Sequence, residues 1–221
     1  HWYSFSSGDY GVVQIKTTEG EWQTISETYA NTGSGVWTYP SIDLKAYSGT
    51  TVQIAFQLTT DGSSYTVGSG WYVDDISIIT GPKVFNNPET WESGLGDWYA
   101  DKGTWDVGTP TNGPGKAYNG TKCAGTVLSG NYDANVSSRI LSPVFSIPSV
   151  DQNPRLRFWH WYSFSSGDYG TVQIKTENGE WLNILEPIYN TSSGIWSPAY
   201  IDLSSYANKK AQVAFNLTSD G

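Results

Sequence analysis

Methionine is absent from the 221 residues and cysteine occurs once, at Cys123. A lone thiol cannot close an internal disulfide, so the fold does not depend on an oxidising compartment. A catalytic thiol needs a base beside it. The two histidines, His1 and His160, occupy equivalent places in a repeat and form no site of their own, so Cys123 reads as a small packed residue. Positive charge is also scarce. Twelve Lys and Arg stand against 21 Asp and Glu, giving a net charge of −9 and a pI near 4.5. Nucleic acid and anionic membrane surfaces both call for a basic face, so neither is an expected partner. No apolar run of membrane-spanning length, signal peptide or lipidation motif lies within the chain, and no membrane insertion is expected of this segment. A chain that begins His-Trp-Tyr-Ser-Phe is not a translated start, and residues are expected upstream.

What is present is a core-building composition. Hydrophobic residues make up 38% and aromatics 15%, against 15% charged, which is not the profile of a disordered chain. The decisive feature is a duplication. HWYSFSSGDYGVVQIKTTEGEW at residues 1–22 returns as HWYSFSSGDYGTVQIKTENGEW at 160–181, a shift of 159 residues. The match runs without a gap to Asp61-Gly62 and Asp220-Gly221, with roughly three in five positions identical. Solenoid repeats have periods of about 20–50 residues; this one is the length of a whole domain. The spacing predicts a tandem repeat of domains sampled out of phase. Residues 1–81 are the C-terminal half of one repeat and 82–221 a second repeat lacking its last strand, with Gly81-Pro82 at the junction.

Alternation identifies the elements. Val13, Ile15 and Thr17 alternate with Gln14 and Lys16; Val52, Ile54, Phe56 and Leu58 alternate with Gln53, Ala55 and Gln57. The second copy repeats this at Ala211, Val213, Phe215 and Leu217. Period two means strands with one buried face. Asn178-Gly179 suits a tight hairpin turn, and Gly, Ser, Asn and Pro punctuate the rest at sandwich-like intervals. No amphipathic helical stretch of useful length is found. The expected fold is all-β, an antiparallel β-sandwich. The copy of Gly70–Ile76 that would close the second repeat is not in the sequence, which predicts an open groove filled by the next stretch of a longer chain or, by strand complementation, by a neighbouring copy.

Several motifs carry a family resemblance. Trp91-Glu92-Ser93-Gly94 with Gly96-Asp97-Trp98, then Ser142-Pro143 after Arg139-Ile140-Leu141, resembles the opening strands of a group of bacterial jelly rolls. Leu156–Tyr162, Asp168-Tyr169-Gly170 with Val172-Gln173-Ile174, and Gly70–Ile76 resemble its later strands. The group comprises the MAM-like, choice-of-anchor J and cleaved-adhesin domains, together with the accessory domain of immune inhibitor A-type metalloproteases. The resemblance implies a jelly-roll module, repeated in large proteins and located extracellularly or at the cell surface. It also implies a structural calcium ion, held in related modules between an Asp of the closing strand, here Asp74 or Asp75, and the glutamate of the opening strand, here Glu92. Those residues fall in different repeats, so one site forms only if neighbouring copies are exchanged.

No catalytic site is expected. Asp97, Asp101, Asp106, Glu180 and Glu186 are the acids a glycosidase reading would need as a pair, but they lie in or beside hairpins, where solvated acids are ordinary. The HExxH metalloprotease motif is absent. Among the aromatics, Trp98, Trp105 and Trp196 lie near loops and are the candidate ligand-binding rings, with glycans as the ligand they would stack on. Asn119, Asn135, Asn190 and Asn216 head glycosylation sequons of the kind polar loops generate by chance. The leading functional expectation is an extracellular adhesion or structural repeat of a surface or filament-forming protein. The alternative is a carbohydrate-binding accessory module of a secreted hydrolase or protease.

Overall fold

The computed structural model describes residues 1–30, 37–62, 68–177, 179–189 and 191–221. The turn at Asn178 and the sequon at Asn190 lie outside the described residues. The chain divides into two compact units, His1–Ile78 and Ile79–Gly221. Both are antiparallel β throughout, with one single-turn 3-10 segment in the first, two in the second, and no α-helix among the described residues.

The first unit holds β1 (Trp2–Ser4), β2 (Tyr10–Thr17), β3 (Gln23–Thr24), β4 (Tyr29–Ala30), β5 (Val52–Thr59) and β6 (Gly70–Tyr72). Strand β2 is central: β3 and β4 share one side of it and β5 takes the other, while β1 pairs separately with β6.

The second unit opens with β7 (Tyr99–Lys102), β8 (Asp106–Gly108), β9 (Cys123–Gly125), β10 (Ser137–Leu141) and β11 (Phe145–Ser146). It continues with β12 (Arg155–His160), β13 (Tyr169–Thr176), β14 (Leu182–Asn183), β15 (Ile188–Tyr189), β16 (Ser197–Asp202) and β17 (Lys210–Thr218). Its main sheet runs β14-β13-β17-β10-β7, with β11 on β17 and β15 on β13; β12 and β16 form a second sheet, and β8 and β9 a third.

The duplicated segments fold alike. Tyr10 faces Thr59 and Gln14 faces Thr24, just as Tyr169 faces Thr218 and Gln173 faces Asn183. Both ladders keep their register under the 159-residue shift, because side-chain alternation leaves one pairing that buries the apolar set.

Two sheets supply one core in the second unit. Ile140, Val172, Ile174 and Val213 come from the main sheet and Ile201 from the other, with Leu156 and Phe158 packed against them. Burying each such side chain is worth about 1.5–3 kcal/mol. This is an arrangement consistent with a β-sandwich. The Ser142-Pro143 step ends β10 by substituting a side chain for the ladder. Ser142 Oγ accepts the Val213 N–H at 2.9 Å and donates to Pro143 O at 2.8 Å. Proline could not have donated there.

Exposure differs between β5 and its second copy, β17. Phe56 and Leu58 are 40% and 45% exposed, although the equivalent Leu217 is 3% exposed. In the second unit β10 lies along the outer edge of β17, Ser138 facing Leu217. Among the described residues of the first unit, β5 pairs only with β2. Alternation fixes which way a side chain points; burial needs something to cover it.

Candidate functional site

A groove of about 660 Å³ lies in the second unit. That is within the range of roughly 300–1,000 Å³ typical of ligand pockets. Several pieces of chain line it, including the stretch between Trp105 and Tyr132. Strand β12 runs on into Trp161, Tyr162 and Phe164; the start of β13 supplies Gly170 and Thr171; Phe215 comes from β17. The rings pack as a chain: Phe158 meets His160 edge-on at 5.3 Å, His160 meets Tyr162 at 5.1 Å, and Tyr162 stacks on Phe164 at 5.6 Å.

The groove mixes apolar rings with specific polar points. Burial lowers the pKa of His160, so its imidazole is held toward the neutral form. Two lining residues carry buried polar atoms with no partner among the described residues, Trp105 Nε1 and Thr171 Oγ1. Buried donors and acceptors are normally satisfied, so these mark places where a ligand or water would bond. Cys123 also lines the groove, and burial pushes its thiol up, away from the thiolate a nucleophile requires.

A second aromatic cluster stands on the outer face of the β12–β16 sheet. Tyr118 stacks on Trp159 at 3.8 Å and 13°, and Trp196 meets Tyr118 edge-on at 6.5 Å. Trp196 Nε1 donates to Lys116 O at 3.0 Å, which fixes its ring. Beside them Arg157 lies 5.8 Å over the Tyr200 ring. Tyr118 is 49% exposed and Tyr200 60%.

The three tryptophans singled out by sequence therefore separate. Trp196 belongs to the outer cluster while also lining the groove, and Trp105 lines the groove. Trp98 is a correction. It is 5% exposed in the core, packed with Phe85, Trp91 and Phe215, because the turn that joins Trp98 N–H to Leu95 O folds its ring inward. The sequence analysis missed Tyr118 and Trp159; their stacking joins residues 41 apart, with no local signal.

The candidate metal ligands lie in different units. Glu92 accepts from Thr121 N–H and Lys122 N–H at 2.9 Å each and from Thr121 Oγ at 2.7 Å. Those bonds hold its carboxyl below the usual range, the Lys122 N–H first. Asp74 accepts its neighbour's N–H, Asp75 N to Asp74 Oδ1 at 2.9 Å. No group of three or more His, Cys, Asp or Glu able to hold a metal occurs among the described residues. Three of the five acids weighed for hydrolysis are engaged elsewhere: Asp101 forms a two-point pair with Arg139, Asp97 accepts Val84 N–H at 2.6 Å, and Asp106 accepts Val107 N–H at 2.7 Å.

This chain is similar to a stretch of Bacillopeptidase F of Bacillus subtilis (strain 168). The two are 30% identical over 213 residues, which is 94% of this chain and 14% of that protein. The chain thus spans about one seventh of the length of the curated relative it matches. No family model matches the chain.

Proposed function

We propose that this chain is a non-catalytic accessory region of an extracellular hydrolase, built from jelly-roll repeats of the MAM-like, choice-of-anchor J and cleaved-adhesin group. The match to Bacillopeptidase F carries the reading: nearly all of this chain corresponds to a small part of a much longer protein bearing a peptidase's name. An extracellular placement belongs to the same reading, and the acidic composition suits it. Its task is to hold the enzyme to a surface. The outer cluster of Tyr118, Trp159 and Trp196 is the sugar-facing site in this reading, since fixed rings with an exposed edge need little ordering on binding. A structural Ca²⁺ at Glu92, Asp74 or Asp75, shared between neighbouring copies, belongs to the same proposal.

The test is retention of the chain on insoluble polysaccharides and on a glycan array, beside Tyr118→Ala and Trp196→Ala. Binding that both substitutions weaken about tenfold supports the sugar site; no binding to any glycan removes it. Turnover of a peptide library by the chain itself would overturn the non-catalytic reading.

A second reading, a structural or adhesive repeat, is favoured by the conserved register of the two copies. Identical modules present identical surfaces and so propagate. Electron microscopy of native material separates the two, by filaments or lattices against isolated particles.

A further inference from the structure

The rings on the outer face of the β12–β16 sheet form a corner and not a plane. Strand β12 turns Arg157 and Trp159 outward, opposite Tyr200 and Pro198 of β16, while Leu156 and Phe158 pack into the core. Tyr118 lies on Trp159, 3.8 Å between centroids and 13° from parallel, so the two make one platform. Tyr118 is its outer layer and is 49% exposed. The next ring along the strand, Tyr200, carries the Arg157 guanidinium over its face at 5.8 Å.

Trp196 supplies the second side of the corner. Its ring meets Tyr118 at 6.5 Å, tilted by 63°. Its Nε1 donates to Lys116 O at 3.0 Å. That bond fixes the indole, and it also engages the one hydrogen-bond donor that a tryptophan side chain has. Toward a ligand, the Trp196 ring is therefore a purely apolar wall. Beside it, Lys116 O keeps a second lone pair able to accept from a ligand N–H.

Such a corner selects by shape and by substituent. A crystalline polysaccharide presents flat layers of sugar rings, and gripping several at once takes several coplanar aromatic rings. A ring tilted by 63° breaks that plane. A single pyranose fits instead, with its C–H face stacked on Tyr118 and one edge substituent turned to Trp196. A hydroxyl in that place would lose water and gain no bond from the indole. A methyl group gains from burial. An acetamido group offers that methyl together with an N–H for Lys116 O.

We propose that this site takes single N-acetylhexosamine residues of glycan chains, the sugar ring on Tyr118 and the acetamido methyl against Trp196. The proposal rests on the sugar reading given above and adds its specificity. Tyr118 holds any pyranose with an apolar face, and Trp196 selects the acetylated one.

The test titrates the 221-residue chain with matched soluble ligands and follows binding by NMR. The pairs are chitotriose against cellotriose, N-acetylgalactosamine against galactose, and methyl 6-deoxyglucoside against methyl glucoside. Each acetylated ligand should bind about four- to tenfold more tightly than its plain partner. Trp196→Ala should remove that preference and change binding of the plain sugars by less than about twofold, whereas Tyr118→Ala weakens both members of a pair. Unchanged amide shifts in β13 and β17 show that each variant is folded. Equal binding within the acetylated pairs, or equal weakening of both members by Trp196→Ala, overturns the proposal and leaves the sugar reading standing. A 6-deoxyglucoside preferred as strongly as the acetylated sugars overturns the role of the acetamido N–H and assigns the wall to any methyl. Retention on crystalline chitin or cellulose without binding of any soluble ligand overturns the corner argument. No binding to any glycan removes the sugar reading, and the proposal with it.

Discussion

Trp71→Ala in the first unit tests the anchoring role of that side chain directly. Removing a fully buried tryptophan costs about 3–5 kcal/mol. Trp71 is only partly buried, which lowers the transfer contribution. It also loses an indole hydrogen bond to His1 and four ring contacts, in a region where aromatic pairs are worth about 0.5–1.5 kcal/mol each beyond area. Because these contributions overlap, about 3 kcal/mol is the expected loss. Every 1.4 kcal/mol is tenfold, so amides protected by cooperative opening of this unit should exchange roughly a hundredfold faster. The assay is native-state hydrogen exchange, comparing β2 and β5 with β13 and β17. Acceleration confined to Tyr10–Thr17 and Val52–Thr59 supports the argument. Unchanged protection there would mean that Trp71 contributes nothing to the unit's stability, and the anchoring argument would fail.

Gly11→Ala should destabilise the first unit by about 1–3 kcal/mol through the clash with Trp71, and much less when combined with Trp71→Ala; a double-mutant cycle in urea measures the coupling. Arg139→Leu leaves Asp101 facing a mostly buried site and strips a cation from over Trp181, so a loss of about 2 kcal/mol is expected, partly restored in Arg139→Leu/Asp101→Leu. Denaturation midpoints decide it. His160 has a lowered pKa in the folded state, so the unfolded chain takes up its proton first as pH falls. Stability from this group is complete above the ordinary histidine value and declines as pH drops through it toward the lowered one; melting from pH 7.5 to 5.5 should show a slope that His160→Phe reduces. Asp168 shows the opposite charge logic. The Tyr132 hydroxyl and the Asp220 N–H hold its carboxyl low, so Tyr132→Phe should weaken resistance to acid, read as a higher midpoint pH of acid unfolding.

The ladders were legible because their information is local. Val172, Ile174, Val213 and Leu217 alternate within single strands, and the duplication shows the same pattern twice. Coverage was not legible. Leu217 is buried beside Ser138 of β10, a strand that nothing near Leu217 in the sequence announces. Trp98 illustrates the same limit in reverse: its neighbours Gly96 and Asp97 suggest a surface turn, yet the turn aims the ring at Phe215, more than a hundred residues on. The groove could be anticipated from the repeat alone. Its exposed companion, Tyr118 on Trp159, could not.

The near-identity of β2 and β13 has a cost during folding. Each must find its own partner, β5 or β17, from two strands that share the Ala-Phe-x-Leu-Thr stretch at Ala55–Thr59 and Ala214–Thr218. A crossed ladder, β2 on β17 and β13 on β5, would satisfy the same backbone groups, so local pairing energy discriminates weakly between the right and wrong tie. Fidelity then falls to the length of chain that each pairing must close. Duplication that multiplies a useful surface also multiplies the ways to knit it wrongly.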